Sequence, residues 1–286
     1  MKITEIIGGA KPSLSFEVFP PKTIDNLDKY RETALKIADL KPSYMSVTYG
    51  AGGGTSDFTV DIAKSIKDKG VTSLSHLSCI SSTKERVREE LARLSANGIE
   101  NILALRGDIP EGMTMDKLDY HYASELTEDI KKFGDFCVGG ACYPETHPDS
   151  ASSSEDIDNL RKKIDAGCEF LVTQMFFSND ILYNFMYRLM KAGVNVPVVP
   201  GIMPITNAKQ VASAAKLSNS FVPQSFLRIV DRYGSNPSVM KQAGIAFATE
   251  QIIDLYANGF NAVHVYTMNK PDVAAAIRGN ISEILK

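Results

Sequence analysis

Side chains able to do chemistry recur in this sequence where a short apolar run gives way to small or polar residues. Glu17 lies in LSFEVF and is followed by Val-Phe-Pro-Pro-Lys22, while Thr48 and Tyr49 end YMSVTY. His76 and Ser78 lie in SLSHLS, and Arg106, Gly107 and Asp108 follow NILAL. Further on, Tyr143, Glu145 and His147 share YPETHP, Gln174 follows EFLVT, and Tyr266, Asn269 and Lys270 lie in VYTMNK. Carboxyl groups and imidazoles in such places can give and take protons. Arginine and lysine suit phosphate oxygens, and tyrosine rings offer stacking faces. Each residue alone has a plainer reading: Glu17 as a salt-bridged carboxylate, His76 as a hydrogen-bonded core imidazole, Asp108 as a turn residue. Their shared position gives them weight as a set.

Two other patterns are weaker. The loop Gly50-Ala51-Gly52-Gly53-Gly54-Thr55 sits between a strand-like and a helix-like stretch, as a dinucleotide fingerprint would. Thr55 stands where the third glycine belongs, and the next strand, SLSHLSC, carries no acidic residue for a ribose. A flexible loop that lets a flat group approach the backbone is the better reading. Cys79, Cys137, Cys142 and Cys168 form no CxxC pair, and His76, His121, His147 and His264 lack the spacing of a helical metal site. No bound metal is expected.

The elements that must position these residues repeat one unit. A β-branched or aromatic run is followed by a stretch of helical period. Strands are expected at 14–19, 44–49, 73–78, 101–106, 136–143, 169–175, 196–202 and 261–267. Helices are expected between them, including 25–39, 83–97, 238–258 and 272–285, with an extra helix at 223–233 before strand eight. Strict alternation requires a parallel sheet, and eight units close most naturally into a (β/α)8 TIM barrel, an α/β fold of one domain over 1–286. A doubly wound open sheet is the competing architecture. In the barrel, chemistry collects where strands run out at the C-terminal rim, which is where the polar residues above fall.

The chain has 286 residues, 44% hydrophobic and 23% charged, enough to bury a core and too apolar for a disordered chain. A net charge of −3 gives no reason to expect a nucleic acid or a membrane surface as partner. No apolar run approaches the roughly 18 residues a membrane span needs, and MKITEIIGGAKPS is too short in its apolar stretch for a signal peptide. A soluble, cytoplasmic protein is expected.

With these residues in view, the sequence resembles the methylenetetrahydrofolate reductase family, flavin-dependent barrel enzymes of one-carbon and methionine metabolism. The motifs are SFEVFPPKT (15–23), SVTYGAGG (46–53), HLSC (76–79), ALRGD (104–108), YPETHP (143–148), KKIDAGCEFLVTQMFF (162–177), PGIMPITNAKQ (200–210) and HVYTMNK (264–270). They follow in order from about residue 13 to the end. The resemblance implies a (β/α)8 barrel and reduction of 5,10-methylenetetrahydrofolate to 5-methyltetrahydrofolate. It further implies FAD as cofactor, NADH or NADPH as co-substrate and a ping-pong cycle.

It also implies roles. Glu17 matches the general acid that protonates the bridging folate nitrogen. Asp108 matches the aspartate near both flavin and pterin, and Thr48 the residue that meets the nicotinamide. Gln174 and Gln210 match folate contacts, and Lys270 falls where a cation would meet the folate tail. The flavin contacts carried over are Tyr49, Ala51, His76, Arg106, Gly107, Asp108, Tyr122, Ala123, Tyr143, His147, Asp156 and Lys163. Two positions depart from familiar bacterial members: Lys270 replaces an arginine, and Ala214 stands where an aromatic ring is expected. That ring could instead come from Phe221 or Phe226. Three other readings stand beside this one: another flavin barrel such as proline dehydrogenase, a silent barrel that binds folate or a partner, and electron delivery by a partner subunit. A homo-oligomer is compatible with all of them.

Overall fold

The structure, a computed structural model, describes residues 1–49, 56–80, 82–108, 118–211, 214 and 220–286. A short helix, α1 (Ile3–Ile7), comes first. Strand and helix then alternate: β1 (Ser13–Val18), α2 (Leu27–Ala38), β2 (Tyr44–Val47), α3 (Ser56–Asp68), β3 (Thr72–Ser78), α4 (Lys84–Ala96), β4 (Asn101–Leu105) and α5 (Ala123–Phe133). The second half continues with β5 (Cys137–Cys142), α6 (Ser153–Asp165), β6 (Phe170–Thr173), α7 (Asn179–Lys191), β7 (Val198–Val199) and β8 (Gly201–Ile202). The expected extra helix is α8 (Gln224–Tyr233); α9 (Pro237–Ala257), β9 (Ala262–Tyr266) and α10 (Pro271–Asn280) end the chain. Side-chain caps start several helices, as when Thr83 Oγ1 accepts from Arg86 N at 3.1 Å and Ser152 Oγ from Glu155 N at 3.2 Å.

All strand pairings are parallel, in the order β7-β6-β5-β4-β3-β2-β1-β9-β8. The expected strand 196–202 is split at Pro200, which has no N–H to continue a ladder. Its two halves hold opposite edges: β7 pairs with β6 and β8 with β9. The Pro200 carbonyl still accepts from His264 N at 2.8 Å. One strand position thus bridges both edges, and the sheet is a nearly closed (β/α)8 barrel. The open doubly wound sheet is excluded.

Alternation along each strand divides the core in two. Leu14, Phe16, Val18, Met45 and Val47 face outward and pack in one cluster with Ile37, Ile62 and Ile66 of the helices. Tyr44, Leu74, Leu103, Phe170 and Val199 face inward and form a second cluster that includes Ile3 and Ile7. Helix α1 is a floor that the hydrophobic pattern does not announce, being too short for a helical period to show. Its start is pinned by Asn101, whose Oδ1 accepts from Ile3 N at 2.9 Å.

Helix α9 crosses the exit of β8 at backbone contact. A Cβ on Gly244 would stand 1.7 Å from the Ile205 carbonyl oxygen, so a larger residue there forces the two apart. That close approach seats Thr206, the next residue, at the rim.

Candidate active site

The exits of the first and last strands are fastened together. Thr267 Oγ1 donates to the Glu17 carbonyl at 2.6 Å, and Asn269 brackets Phe19, accepting from its N–H at 3.0 Å and donating to its carbonyl at 2.9 Å. Met268 and Asn269 both take φ 53°, a left-handed conformation that side chains other than glycine adopt at a cost and that recurs at functional loops.

Held this way, the Glu17 side chain turns into the barrel and is only 19% exposed. Its Oε2 lies 3.6 Å from His76 Nε2 and 3.9 Å from His264 Nε2. His264 is seated by two serines, with Ser15 Oγ 2.7 Å from Nδ1 and Ser46 Oγ 3.1 Å from Nε2. Its ring stacks on Tyr44 at 5.8 Å and meets the edge of Tyr266 at 5.4 Å. Burial pulls His76 down to about 4; Glu17 works against this and His264 with it, so the ring is neutral at neutral pH. Sequence reasoning did not single out His264 as a site residue. The signal was available, since alternation puts it on one face with Tyr266.

The exits of β3, β4 and β5 gather a second group. Gly107 has φ +84°, and a Cβ on it would stand 2.2 Å from Ser78 Oγ, which donates to the Arg106 carbonyl at 2.9 Å. Only glycine fits, and its carbonyl accepts from Arg106 Nε at 3.2 Å. Arg106 Nη2 binds Asp149 Oδ2 at 2.5 Å, and this bond holds the Asp149 carboxyl below the usual range. The Asp149 N–H donates to His147 Nδ1 at 3.0 Å, so the neutral ring carries its proton on Nε2. Burial depresses His147. Its ring stands edge-on to Tyr143, centroids 4.5 Å apart. Asp156 is buried beneath this loop and accepts from His147 N at 3.1 Å and Ser150 Oγ at 3.4 Å. It holds the loop from below.

Lys163 donates to the Ala141 carbonyl at 2.8 Å, and burial pulls its pKa down. Among the described residues no carboxylate forms an ion pair with it. Tyr143 is pushed up by burial, with the Gln174 side chain beside it pulling the other way. Thr48 and Tyr49 are partly buried just beyond β2, and Asp108 is exposed after Gly107. Tyr122 is exposed at the head of α5, where Glu125 accepts from its N–H, and Ala123 is buried behind it. Ala51 and the rest of the 50–55 glycine loop lie outside the described residues.

Two expected substrate contacts meet on a residue the sequence did not mark. Lys270 Nζ donates to Thr206 Oγ1 at 2.7 Å, and Gln210 Oε1 accepts from Thr206 N at 3.1 Å. Burial lowers the Lys270 pKa, opposed by Asp272 and reinforced by Lys241. Ala214 is 3% exposed and packs with Phe177, Met203, Ile205 and Phe226. Phe226 is itself buried between Phe177 and Phe247. Of the two alternative rings only Phe221 is presented, 56% exposed, its N–H held by Glu145 Oε2 at 2.7 Å.

The rim therefore combines a carboxyl group between two imidazoles, a desolvated cation, aromatic ring surface, and an amide–threonine–lysine cluster. That set can pass a proton, hold an anionic group next to a flat ring and grip a second polar ligand. Among the described residues no group of His, Cys, Asp and Glu is placed to hold a metal ion, and no helix is long and apolar enough to cross a membrane.

The family model for methylenetetrahydrofolate reductase matches residues 2–282. The chain is 37% identical over 267 residues to a 5,10-methylenetetrahydrofolate reductase of Pectobacterium carotovorum, covering 93% of this chain and 88% of that one. It is 35% identical over 266 residues to the Escherichia coli protein of the same name, covering 93% and 89%. Methylenetetrahydrofolate reductase (NADH) 1 of Arabidopsis thaliana is 35% identical over 300 residues, 99% of this chain and 50% of that one. Among solved structures, an uncharacterized Clostridium thermocellum protein that binds two copies of 5-methyl-5,6,7,8-tetrahydrofolic acid superposes with a TM-score of 0.68 over 99% of both chains at 14% identity, a likeness of fold.

Proposed function

Because the chain belongs to the methylenetetrahydrofolate reductase family, and so reduces methylenetetrahydrofolate, we propose that it does so as an FAD enzyme, with NADH or NADPH and the folate taking turns at one site. The observation that carries this reading is Glu17, a carboxyl group inside the barrel mouth with two imidazoles beneath it. The residues present fit an anionic dinucleotide with a flat ring. Lys163 is a desolvated cation whose one hydrogen bond among the described residues goes to the Ala141 carbonyl, Gly107 lets a ligand approach without a side chain in the way, and Tyr143 and His147 offer ring surface. Lys163 and Arg106 would face the phosphates, with Thr48, Tyr49, Gly107, Tyr122, Ala123, Tyr143 and His147 around the rest; Asp156 acts through the His147 loop. When bound, the flavin supplies the hydride that makes the methyl group.

What the chain itself does is move a proton and hold the folate. Protonated Glu17 gives its proton to the bridging nitrogen, the five-membered ring opens, and the resulting iminium carbon can accept a hydride. Asp108 and Gln174 face the pterin. Thr206, gripped by Gln210 and Lys270, sets the Lys270 ammonium where a folate carboxylate would meet it. The folate-bound Clostridium protein lends support through its shared fold. The free, buried cysteines suit a reducing compartment, in keeping with the cytoplasm.

The test is an anaerobic titration of the purified protein with NADH, NADPH and methyltetrahydrofolate in turn, after the mass of the flavin released on denaturation has been measured. Bleaching of bound FAD by a nucleotide and by methyltetrahydrofolate is expected. Protein that neither carries nor takes up flavin overturns the reading. Bleaching by methyltetrahydrofolate alone points instead to a partner subunit as electron donor.

A further inference from the structure

The inner wall of the barrel treats its two histidines differently. His264 is fully engaged: both ring nitrogens face serine hydroxyls, at 2.7 and 3.1 Å, and the ring packs against Tyr44 and Tyr266. His76 is not. Its Nε2 is buried and, among the described residues, has no hydrogen-bond partner, with the side chain 7% exposed. A buried polar atom left this way is costly unless something satisfies it in a working state. The facing group is the Glu17 carboxyl, with Oε2 3.6 Å away. A small side-chain rotation closes that gap to a hydrogen bond.

We propose that His76 is a positioning residue for Glu17, donating from Nε2–H to Glu17 Oε2 so that the other carboxyl oxygen, Oε1, carries the proton to the substrate. The inference rests on Glu17 being the general acid. A neutral imidazole suits the task in both halves of the cycle. Before proton transfer, Oε2 is the carbonyl oxygen of a carboxylic acid; afterwards it belongs to a carboxylate. It accepts from Nε2–H in both states, so the group need not turn between turnovers. His264 cannot substitute, because its Nε2 is committed to Ser46 and stands 3.9 Å from the carboxylate. This role differs from the flavin contact that family resemblance gives His76, and the two make different predictions.

The experiment compares His76→Phe, His76→Gln and Glu17→Gln in stopped-flow measurements of the two half-reactions. Nitrogen NMR of the histidine rings in the full chain as purified accompanies them. For His76→Phe, folate reduction should slow by about tenfold or more, the scale expected when a reacting group is misplaced by a fraction of an ångström to an ångström. Flavin reduction by the nucleotide should stay within about twofold, and His76→Gln, whose amide can donate from a similar place, should recover most of the loss. By NMR, His76 should be the neutral Nε2–H tautomer, and its Nε2 signal should move in Glu17→Gln.

Equal slowing of both half-reactions, or loss of flavin, makes His76 a flavin contact and overturns the proposal. So does an Nδ1–H tautomer, a readout that holds even if His76→Phe does not fold. If Glu17→Gln abolishes folate reduction while both His76 variants match the parent, the proposal fails and the general acid stands. If Glu17→Gln leaves folate reduction unchanged, both fall together.

Discussion

The two ends of the barrel use the same kinds of residue to opposite effect. At the floor, polar groups are spent on closure. Asn101 accepts from Ile3 N at 2.9 Å and donates to the carbonyls of Met1 and Ser73 at 3.2 and 3.3 Å, while Ile3 and Ile7 seal the apolar layer above Tyr44 and Phe170. At the rim, Glu17, His76, Lys163 and Glu145 are desolvated and only partly paired. Among the described residues, both ends leave buried atoms without hydrogen-bond partners. Those nearer the floor are the hydroxyls of Ser13 and Tyr44, and burial holds Tyr44 above the usual phenol range; those at the rim are His76 Nε2 and Glu145 Oε1. Hydroxyls stay neutral, whereas an imidazole and a carboxyl group can change charge. The floor contributes stability, and the rim keeps titratable groups poised at some cost to it.

The largest expected effect tests the rim. Glu17→Gln removes the transferable proton at nearly constant volume, and general acid catalysis is worth about 10²–10⁴-fold. Folate reduction should fall on that scale while flavin reduction by the nucleotide and the thermal midpoint persist. A stability loss matching the activity loss would make Glu17 structural and erase the contrast.

The floor should answer in the reverse sense. Ile3→Ala empties a fully buried site, which typically costs about 2–5 kcal/mol. Denaturant melts should show that loss, with activity per folded molecule unchanged. A specific fall in kcat instead would mean that α1 reaches the chemistry.

A pH signature follows from His76. Its folded pKa of about 4 lies below the ordinary 6.5. The unfolded chain therefore binds the proton more readily, and the contribution is present above 6.5 and lost as pH falls toward 4. The loss should approach roughly 3 kcal/mol. Urea midpoints measured down that range should drop less steeply in His76→Gln than in the parent.

Smaller effects sharpen the rim. Lys270→Ala should raise the folate KM with kcat nearly intact, by about ten- to a hundredfold if the charged bond, worth about 1.5–3 kcal/mol, is partly desolvated. A fall in kcat at saturating folate with KM unchanged counts against that role. Ala214→Phe should behave like a core mutation, because the site is already filled by Phe177, Met203 and Phe226. Overpacking of this kind costs about 1–3 kcal/mol of stability. Phe221→Ala is the informative partner: weaker nucleotide binding in that variant would give the ring at the donor site to Phe221, and tighter binding in Ala214→Phe would return it to 214.

Much of this was legible in the sequence because it depends on neighbours in the chain. Strand and helix follow from hydrophobic period, and the place of Glu17, Arg106 and Lys270 near strand ends from where apolar runs give way. Tertiary structure decided what joins across the barrel. Ser15 and His264 meet at a separation of 249 residues, and Lys270 and Thr206 at 64. Those meetings depend on closure through Pro200 and on the register of parallel strands, neither of which leaves a mark in local periodicity. For the same reason the sequence marked His76 as chemistry at a strand end, and only the folded barrel turned its Nε2 toward Glu17. The five-residue floor helix is the other case: too short to show a period, it is recognisable by what it covers.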